Sequence, residues 1–242
     1  MITTIYIVIL AYFLLGAAGF WFISREKTTE EARHNLIKYL TYFLIINILF
    51  FSIVINSMVF RCITILIVLF ALGELFNLFR LSGYSGKLFF FVSLTVLAVF
   101  SAGFIYFSGL DTGVILFSFL ILSIFDSFSQ ICGQLWGRRK ILPRISPGKT
   151  QEGLIGGTLA AILSALLLKS LTDFSLFVML ALATGVVVFA FTGDMLASLY
   201  KRRYQVKDYS KLIPGHGGFL DRFDSLIAGG AWVAFFNQFI SG

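Results

Sequence analysis

Three prolines, two cysteines and two histidines are all that the 242 residues contain, and only 13% of the side chains are charged. So small a charged fraction is about half that of an ordinary soluble domain and excludes that class. Cys62 and Cys132 fall toward opposite faces of the topology derived below, so they exclude a disulfide framework, and no Cys/His spacing suits a zinc site. No Lys or Arg precedes the first apolar run, and Trp21-Phe22 continues it. Both features argue against a cleaved leader despite the small residues Gly16-Ala17-Ala18-Gly19. Neither an internal repeat nor a domain linker is visible, and without a repeat a transporter built from duplicated halves is disfavoured.

What fills the chain is apolar: 58% of residues are hydrophobic and 17% aromatic, a composition that demands lipid as solvent. Windows of about 20 apolar residues, the length that crosses a hydrocarbon core, fall near Ile2–Ile23, Tyr39–Phe60, Cys62–Phe79, Leu88–Ser108, Gly113–Cys132, Leu154–Leu168, Phe174–Thr192 and Ser225–Ile240. The expected fold is all-α, a polytopic membrane protein of about eight transmembrane helices. Residues 1–110 are read as N-terminal membrane helices and 111–242 as a catalytic membrane region. Thr28-Thr29-Glu30-Glu31 has capping-box spacing and is expected to open an interfacial helix leading into the second span.

The basic residues support this count. All but Arg61 and Lys169 of the 19 lie after the first, third, fifth or seventh span. By the positive-inside rule that face is cytoplasmic and both termini are extracytoplasmic. The net charge of +7 then follows from topology and from anionic headgroups or phosphates at one face, and nucleic acid explains it poorly.

Ionisable residues are costly beside membrane spans unless paired or wet, so two polar blocks stand out. In the first, Asp126, Gln130, Gly133 and Gly137 recur at helical spacing and would give one polar, close-packing face. Ser146-Pro147-Gly148-Lys149-Thr150 reads as a loop turn, and Glu152 sits where a carboxylate favours the start of a helix. A positive-inside loop with a structural Asp accounts for this block as well.

The second block runs from Asp194 to Asp224. Steps of four and three residues put Asp194, Ser198 and Lys201 on one helix face. Pro214-Gly215-His216-Gly217-Gly218 permits positive φ and a turn whose N–H groups converge on an anion. Asp221 and Asp224 follow, flanking Arg222. Separated carboxylates suit Mg²⁺, which joins protein to substrate phosphates, and Lys201, Arg202, Lys207 and the turn would hold those phosphates. Taken alone, salt bridges and a loop explain the pattern equally well.

The complete string adds specificity. Ser198, Lys201-Arg202, Lys207-Asp208, Pro214-Gly215-His216-Gly217-Gly218 and Asp221-Arg222-Phe223-Asp224 resemble, without a gap in spacing, the signature of the phosphatidate cytidylyltransferase (CDP-diacylglycerol synthase) family. The resemblance reaches upstream to Asp126 and to Ser146–Gly153, about the C-terminal half of the chain. Two departures are visible: Ser129-Gln130 replaces a small-aromatic pair, and Gly148 stands where a second Lys is usual.

The resemblance implies a nucleotidyltransferase of phospholipid biosynthesis that moves CMP from CTP to phosphatidic acid, giving CDP-diacylglycerol and pyrophosphate. It implies Asp194 and Asp221 as metal ligands, catalytic together with Lys201. It also implies Ser198, Lys201, Arg202, Lys207, His216, Gly217, Gly218 and Arg222 around the phosphates of CTP or lipid, with Asp126, Lys149, Glu152 and Asp224 in support. Mg²⁺ is the implied cofactor, K⁺ a second cation, and a bacterial inner membrane with the site facing the cytoplasm the implied setting. A CTP-dependent lipid-alcohol kinase, a CDP-archaeol-type synthase and a non-enzymatic lipid transporter remain as alternatives, and a homodimer stays open.

Overall fold

The computed structural model describes residues 2–24, 29–213 and 217–241. Among these are eight α-helices: α1 (Ile2–Ser24), α2 (Thr29–Ile55), α3 (Ser57–Leu81), α4 (Lys87–Phe107), α5 (Thr112–Trp136), α6 (Gln151–Leu167), α7 (Leu176–Arg203) and α8 (Leu220–Ser241). The chain is an all-α polytopic membrane protein. Five of the helices, α2, α3, α4, α5 and α7, are long and apolar enough to cross a membrane, whereas α6 is a shorter apolar helix.

Two features differ from the sequence expectation. The polar stretch before the second span is not a separate interfacial helix, because α2 runs unbroken from Thr29 to Ile55 with neither Gly nor Pro to interrupt it. Thr28, half of the expected capping box, lies outside the described residues, as do Arg25, Lys27 and Pro214-Gly215-His216. The segment between α5 and α6 holds a small antiparallel hairpin, β1 (Lys140–Leu142) with β2 (Ser146–Thr150), where a plain loop was expected. Its backbone is anchored from both sides, since Gln151 N–H donates to Arg139 O (2.9 Å) and Arg202 Nε donates to Ile145 O (3.1 Å).

Close backbone approach organises the C-terminal half. α5 and α6 form the most intimate pair, and α8 lies against both α7 and α4. With lipid tails as apolar as leucine, such contacts rest on small residues that let helices touch. A side chain at Gly157 would meet Phe125 O and Ser129 Cβ at 2.8 Å, and one at Gly193 would meet Asp224 O at 2.7 Å. Apolar side chains that no helix covers remain on the outside, among them Phe177, Leu88 and Phe239 at about 80% exposure, which suits a lipid-facing surface.

Polar links hold the ends of helices in register. Tyr200 Oη donates to Leu75 O (2.8 Å), tying α7 to α3, and Trp232 Nε1 donates to Leu182 O (3.2 Å), tying α8 to α7. On the N-terminal side, Tyr12 Oη and Ser164 Oγ share a hydrogen bond (2.5 Å) that joins α1 to α6.

Gly157→Ala should lower stability by about 1–3 kcal/mol, the usual effect of overfilling a closed contact. Gly73→Ala, where nothing lies within 4 Å of the added methyl, should leave it unchanged or slightly raised. Thermal unfolding of the two variants in one detergent distinguishes them, and equal shifts would show that the α5–α6 contact is not tight.

Candidate active site

α7 continues eleven residues past the end of its expected apolar window, and this extension carries Asp194, Ser198 and Lys201. Lys149 of β2 forms an ion pair with Asp194 and lies 5.5 Å from the Phe191 ring centre. Burial disfavours the charged lysine, but the carboxylates of Asp194 and Asp126 outweigh it and hold its pKa above the ordinary lysine range. The ammonium therefore stays charged at neutral pH.

Lys201, buried, donates to Asp221 Oδ1 at 2.5 Å, and that carboxylate is only 4% exposed. The other oxygen of Asp221 accepts from Tyr209 N (2.7 Å) and Gly218 N (2.9 Å). Both oxygens are thus committed, and Asp221 fastens the Gly-rich turn to the end of α7. Gly217 has φ +86°, and a side chain there would strike Asp221 Oδ2 at 2.8 Å, so both conformation and space require glycine. Gly217 N–H donates to Ile213 O (3.1 Å) and Ile213 N–H to Gly217 O (2.7 Å), closing the turn. Two N–H groups expected to meet an anion are therefore engaged by the protein itself. His216 lies outside the described residues.

Arg202 is likewise committed to backbone, donating to Ile145 O and to Val206 O (2.8 Å). Ser198 is buried one helical turn before Lys201. Lys207 is exposed and lines a cavity of about 570 Å³ together with Asp126, Gln130 and Arg222. Glu152 accepts from Arg138 N (3.0 Å) and Arg139 N (3.2 Å), fixing the start of α6 to the end of α5. Gly133 and Gly137 serve packing: both meet Thr150, while Asp126 and Gln130 of the same expected face turn to the cavity.

Asp224 supplies the unsatisfied group. It is buried, and among the described residues its Oδ1 accepts only its neighbour's Ser225 N (2.7 Å) and its Oδ2 has no hydrogen-bond partner. Asp194 and Asp126 lie near enough to repel it and Lys201 near enough to attract it. No group of three His, Cys, Asp or Glu side chains among the described residues is already set at metal distance. A buried, orphaned carboxylate oxygen beside further carboxylates nonetheless has the donor chemistry that a hard divalent cation satisfies. Tyr209, whose Oη donates to Ala197 O (3.1 Å), borders this group; burial and the carboxylates of Asp224 and Asp221 push its pKa well above the ordinary tyrosine range, so it stays neutral.

One residue of the site was missed in the sequence. Glu74 of α3 is buried, with Oε1 accepting from Ser210 Oγ (2.7 Å) and Phe219 N (3.0 Å), and Oε2 from Leu220 N (2.8 Å). It caps the positive end of α8 from another helix, immediately ahead of Asp221. A side chain at Gly218 would collide with it, which explains the second glycine of the turn. Its signal was an acid alone in the apolar run Cys62–Phe79, the same signal that singled out Asp126.

With this geometry in place, comparison with known proteins is informative. Residues 88–240 match the family model described as Cytidylyltransferase family, more than half of the chain. The chain belongs to the cytidylyltransferase family. Curated relatives named phosphatidate cytidylyltransferase include one from Staphylococcus haemolyticus, 37% identical over 139 residues (55% of this chain, 54% of the relative). Others come from Staphylococcus epidermidis, 44% identical over 115 residues (47% and 44%), and Haemophilus influenzae, 38% identical over 135 residues (52% and 46%). The chain spans about half the length of the curated relatives it matches. Asp126, Lys149, Asp194, Lys201, Asp221 and Asp224 all fall inside the family segment, whereas Glu74 lies before it.

Glu74→Ala should destabilise the protein by a few kcal/mol, since two backbone donors and a hydroxyl lose their acceptor at about 1–3 kcal/mol for each buried group left unpaired. Glu74→Gln, which keeps one acceptor oxygen, should retain part of that loss. Limited proteolysis of the 205–219 segment reports it directly, and unchanged cleavage in Glu74→Ala would remove the capping role.

Proposed function

We propose that this protein transfers CMP from CTP to phosphatidic acid, forming CDP-diacylglycerol and releasing pyrophosphate at the cytoplasmic face of the membrane. The observation that carries the reading is the meeting of two environments: paired lysines and buried carboxylates from the family segment adjoin a cavity that Lys38, Lys207 and Lys211 line together with apolar side chains of α1, α2 and α5. A small-nucleotide reaction built into a membrane bundle makes sense if the second reactant is a lipid phosphate, and the names of the curated relatives agree.

In this reaction a phosphate oxygen of the lipid attacks the α-phosphorus of CTP, an O–P bond forms, and the bond to the β-phosphate oxygen breaks as pyrophosphate departs. The attacking phosphate is already ionised at neutral pH, so no strong base is required, and the main obstacle is the repulsion between two anions. Lys149 and Lys201 answer it by exchanging partners, leaving Asp194 and Asp221 for phosphate oxygens. Mg²⁺, when bound, would supply charge neutralisation and in-line positioning. Three carboxylates are available to hold it: Asp224 through its uncommitted oxygen, and Asp194 and Asp221 once their lysines turn away. Asp221 and Glu74 meanwhile keep the turn and the start of α8 in place, and neutral Tyr209 shields the carboxylates from water.

The test is turnover of labelled CTP by the purified full chain with phosphatidic acid and Mg²⁺, both products being identified. CDP-diacylglycerol with pyrophosphate is expected, and CDP with a phosphorylated lipid would replace the reading by a kinase. Asp194→Asn and Asp224→Asn should each lower turnover at least about a hundredfold while the protein still inserts, because losing an interaction worth several kcal/mol in the transition state costs that much. Near-normal rates in either would exclude that residue from the metal shell. Single cysteines at Lys211 and Asp173 should be labelled from the cytoplasmic and the outer side respectively; the reverse pattern would overturn the orientation.

A further inference from the structure

Arg222 carries a charge with no ion-pair partner among the described residues. Among the described residues no carboxylate lies within ion-pair distance of it and its guanidinium donates no hydrogen bond, although Asp126 acts on it from farther away. Instead its guanidinium sits over the Tyr42 ring, 4.3 Å from the centre. The ring is itself fixed: Tyr42 Oη donates to Ser123 O (3.1 Å) and accepts from Ser127 Oγ (3.1 Å), both on α5. Stacking on an aromatic face holds a guanidinium in place while leaving its N–H fork open to an anion.

The surroundings specify which anion. Arg222 and Tyr42 line the 570 Å³ cavity together with the basic Lys38, Lys207 and Lys211, and with the apolar Ile9 and Phe13 of α1, Ile46 of α2 and Ile124 of α5. A cavity with both a basic end and apolar walls suits a phosphate that carries acyl chains, whereas the ribose and triphosphate of a nucleotide leave the apolar walls without a partner. Lys149 and Lys201 stand on the carboxylate cluster and do not line this cavity.

We propose that Arg222, positioned by the Tyr42 ring, anchors the phosphomonoester of the lipid substrate, and that α1 and α2 supply the wall that receives its chains. Tyr42 is then a positioning residue contributed from outside the family segment, and the division of labour is lipid phosphate at Arg222, nucleotide phosphates at Lys149 and Lys201. The inference rests on the reading of the reaction given above.

Two measurements on the full chain in neutral detergent test it: steady-state kinetics with each substrate varied, and equilibrium binding of labelled phosphatidic acid without CTP. Tyr42→Leu should raise the KM for phosphatidic acid and weaken its binding, each about tenfold, the scale of a desolvated cation–π contact. The KM for CTP should not move. Tyr42→Phe keeps the ring and should stay within about twofold of the parent. Arg222→Lys keeps the charge but loses the planar stack and should repeat the Tyr42→Leu pattern, which covers the case in which Tyr42→Leu fails to fold. Glycerol 3-phosphate should not displace the lipid at equal concentration; if it does, the site takes a free phosphomonoester and the acyl wall is refuted. A rise in the KM for CTP with lipid binding unchanged, or equal losses in Tyr42→Phe and Tyr42→Leu, would overturn the anchor. Absence of CMP transfer while Tyr42→Leu still weakens lipid binding would refute the reaction and leave the anchor standing.

Discussion

Charge inside an apolar bundle has to be neutralised, and the arrangement of the C-terminal half follows from that constraint. An isolated carboxylate cannot be left among membrane helices without a cost of several kcal/mol. Lys149 reaches Asp194 only because the β1–β2 hairpin is fastened to the end of α7 through Arg202. Lys201 reaches Asp221 only because the turn between α7 and α8 folds back along α7, closed by the Ile213–Gly217 bridge. The glycines are consequences of the same need. Gly193 lets α8 approach until Asp224 lies beside Asp194, and Gly217 and Gly218 leave room for the carboxylates of Asp221 and Glu74.

Glu74 shows how far the constraint extends. The start of α8 presents N–H groups with no partner in its own helix, and the carboxylate of Asp221 in its first turn is already engaged by Lys201, Tyr209 N and Gly218 N. A carboxylate from α3 fills the gap, so that a helix before the family segment helps hold the segment's central turn. Tyr200 makes a second tie between α7 and α3. The charged cluster is thereby fixed on three sides by backbone and side-chain bonds, while the side toward Arg222 and the cavity keeps its donors open.

Much of this was legible in the sequence, for identifiable reasons. Eight apolar windows gave eight helices because hydrophobic length is a property of each segment alone. Asp194, Ser198 and Lys201 were placed on one face by helical spacing, and the family string brought Asp221 and Asp224 to the same neighbourhood. What escaped was contact between distant segments. The family resemblance implied Asp194 and Asp221 as a metal pair, yet the string could not tell that Tyr209 and Gly218 would occupy one oxygen of Asp221 and Lys201 the other, leaving the uncommitted oxygen on Asp224. Nor could it tell that Arg202 would be spent on Ile145 O, or that Tyr42, about 180 residues away in sequence, would carry Arg222. The hairpin was missed because strand pairing of a short, Pro-containing and Gly-containing segment leaves no periodicity to read.

For the proposed reaction, the balance of charge bears on how such a cluster would accept two anionic substrates. With Glu74 occupied by the N–H groups at the start of α8, four carboxylates, Asp126, Asp194, Asp221 and Asp224, stand with three cations, Lys149, Lys201 and Arg222. Written in their charged forms, these groups leave one excess negative charge, which repels phosphate. One divalent ion, held there as proposed, would bring these groups to one excess positive charge. They would then attract phosphate, and Lys149 and Lys201 would be free to turn from their carboxylates toward it. A site neutral or positive on its own would hold phosphates tightly without any cation and release pyrophosphate poorly, whereas on the proposed reading this cluster would make phosphate affinity conditional on the ion. That conditionality follows from the count of buried charges and requires no movement of helices, only the exchange of partners by Lys149 and Lys201.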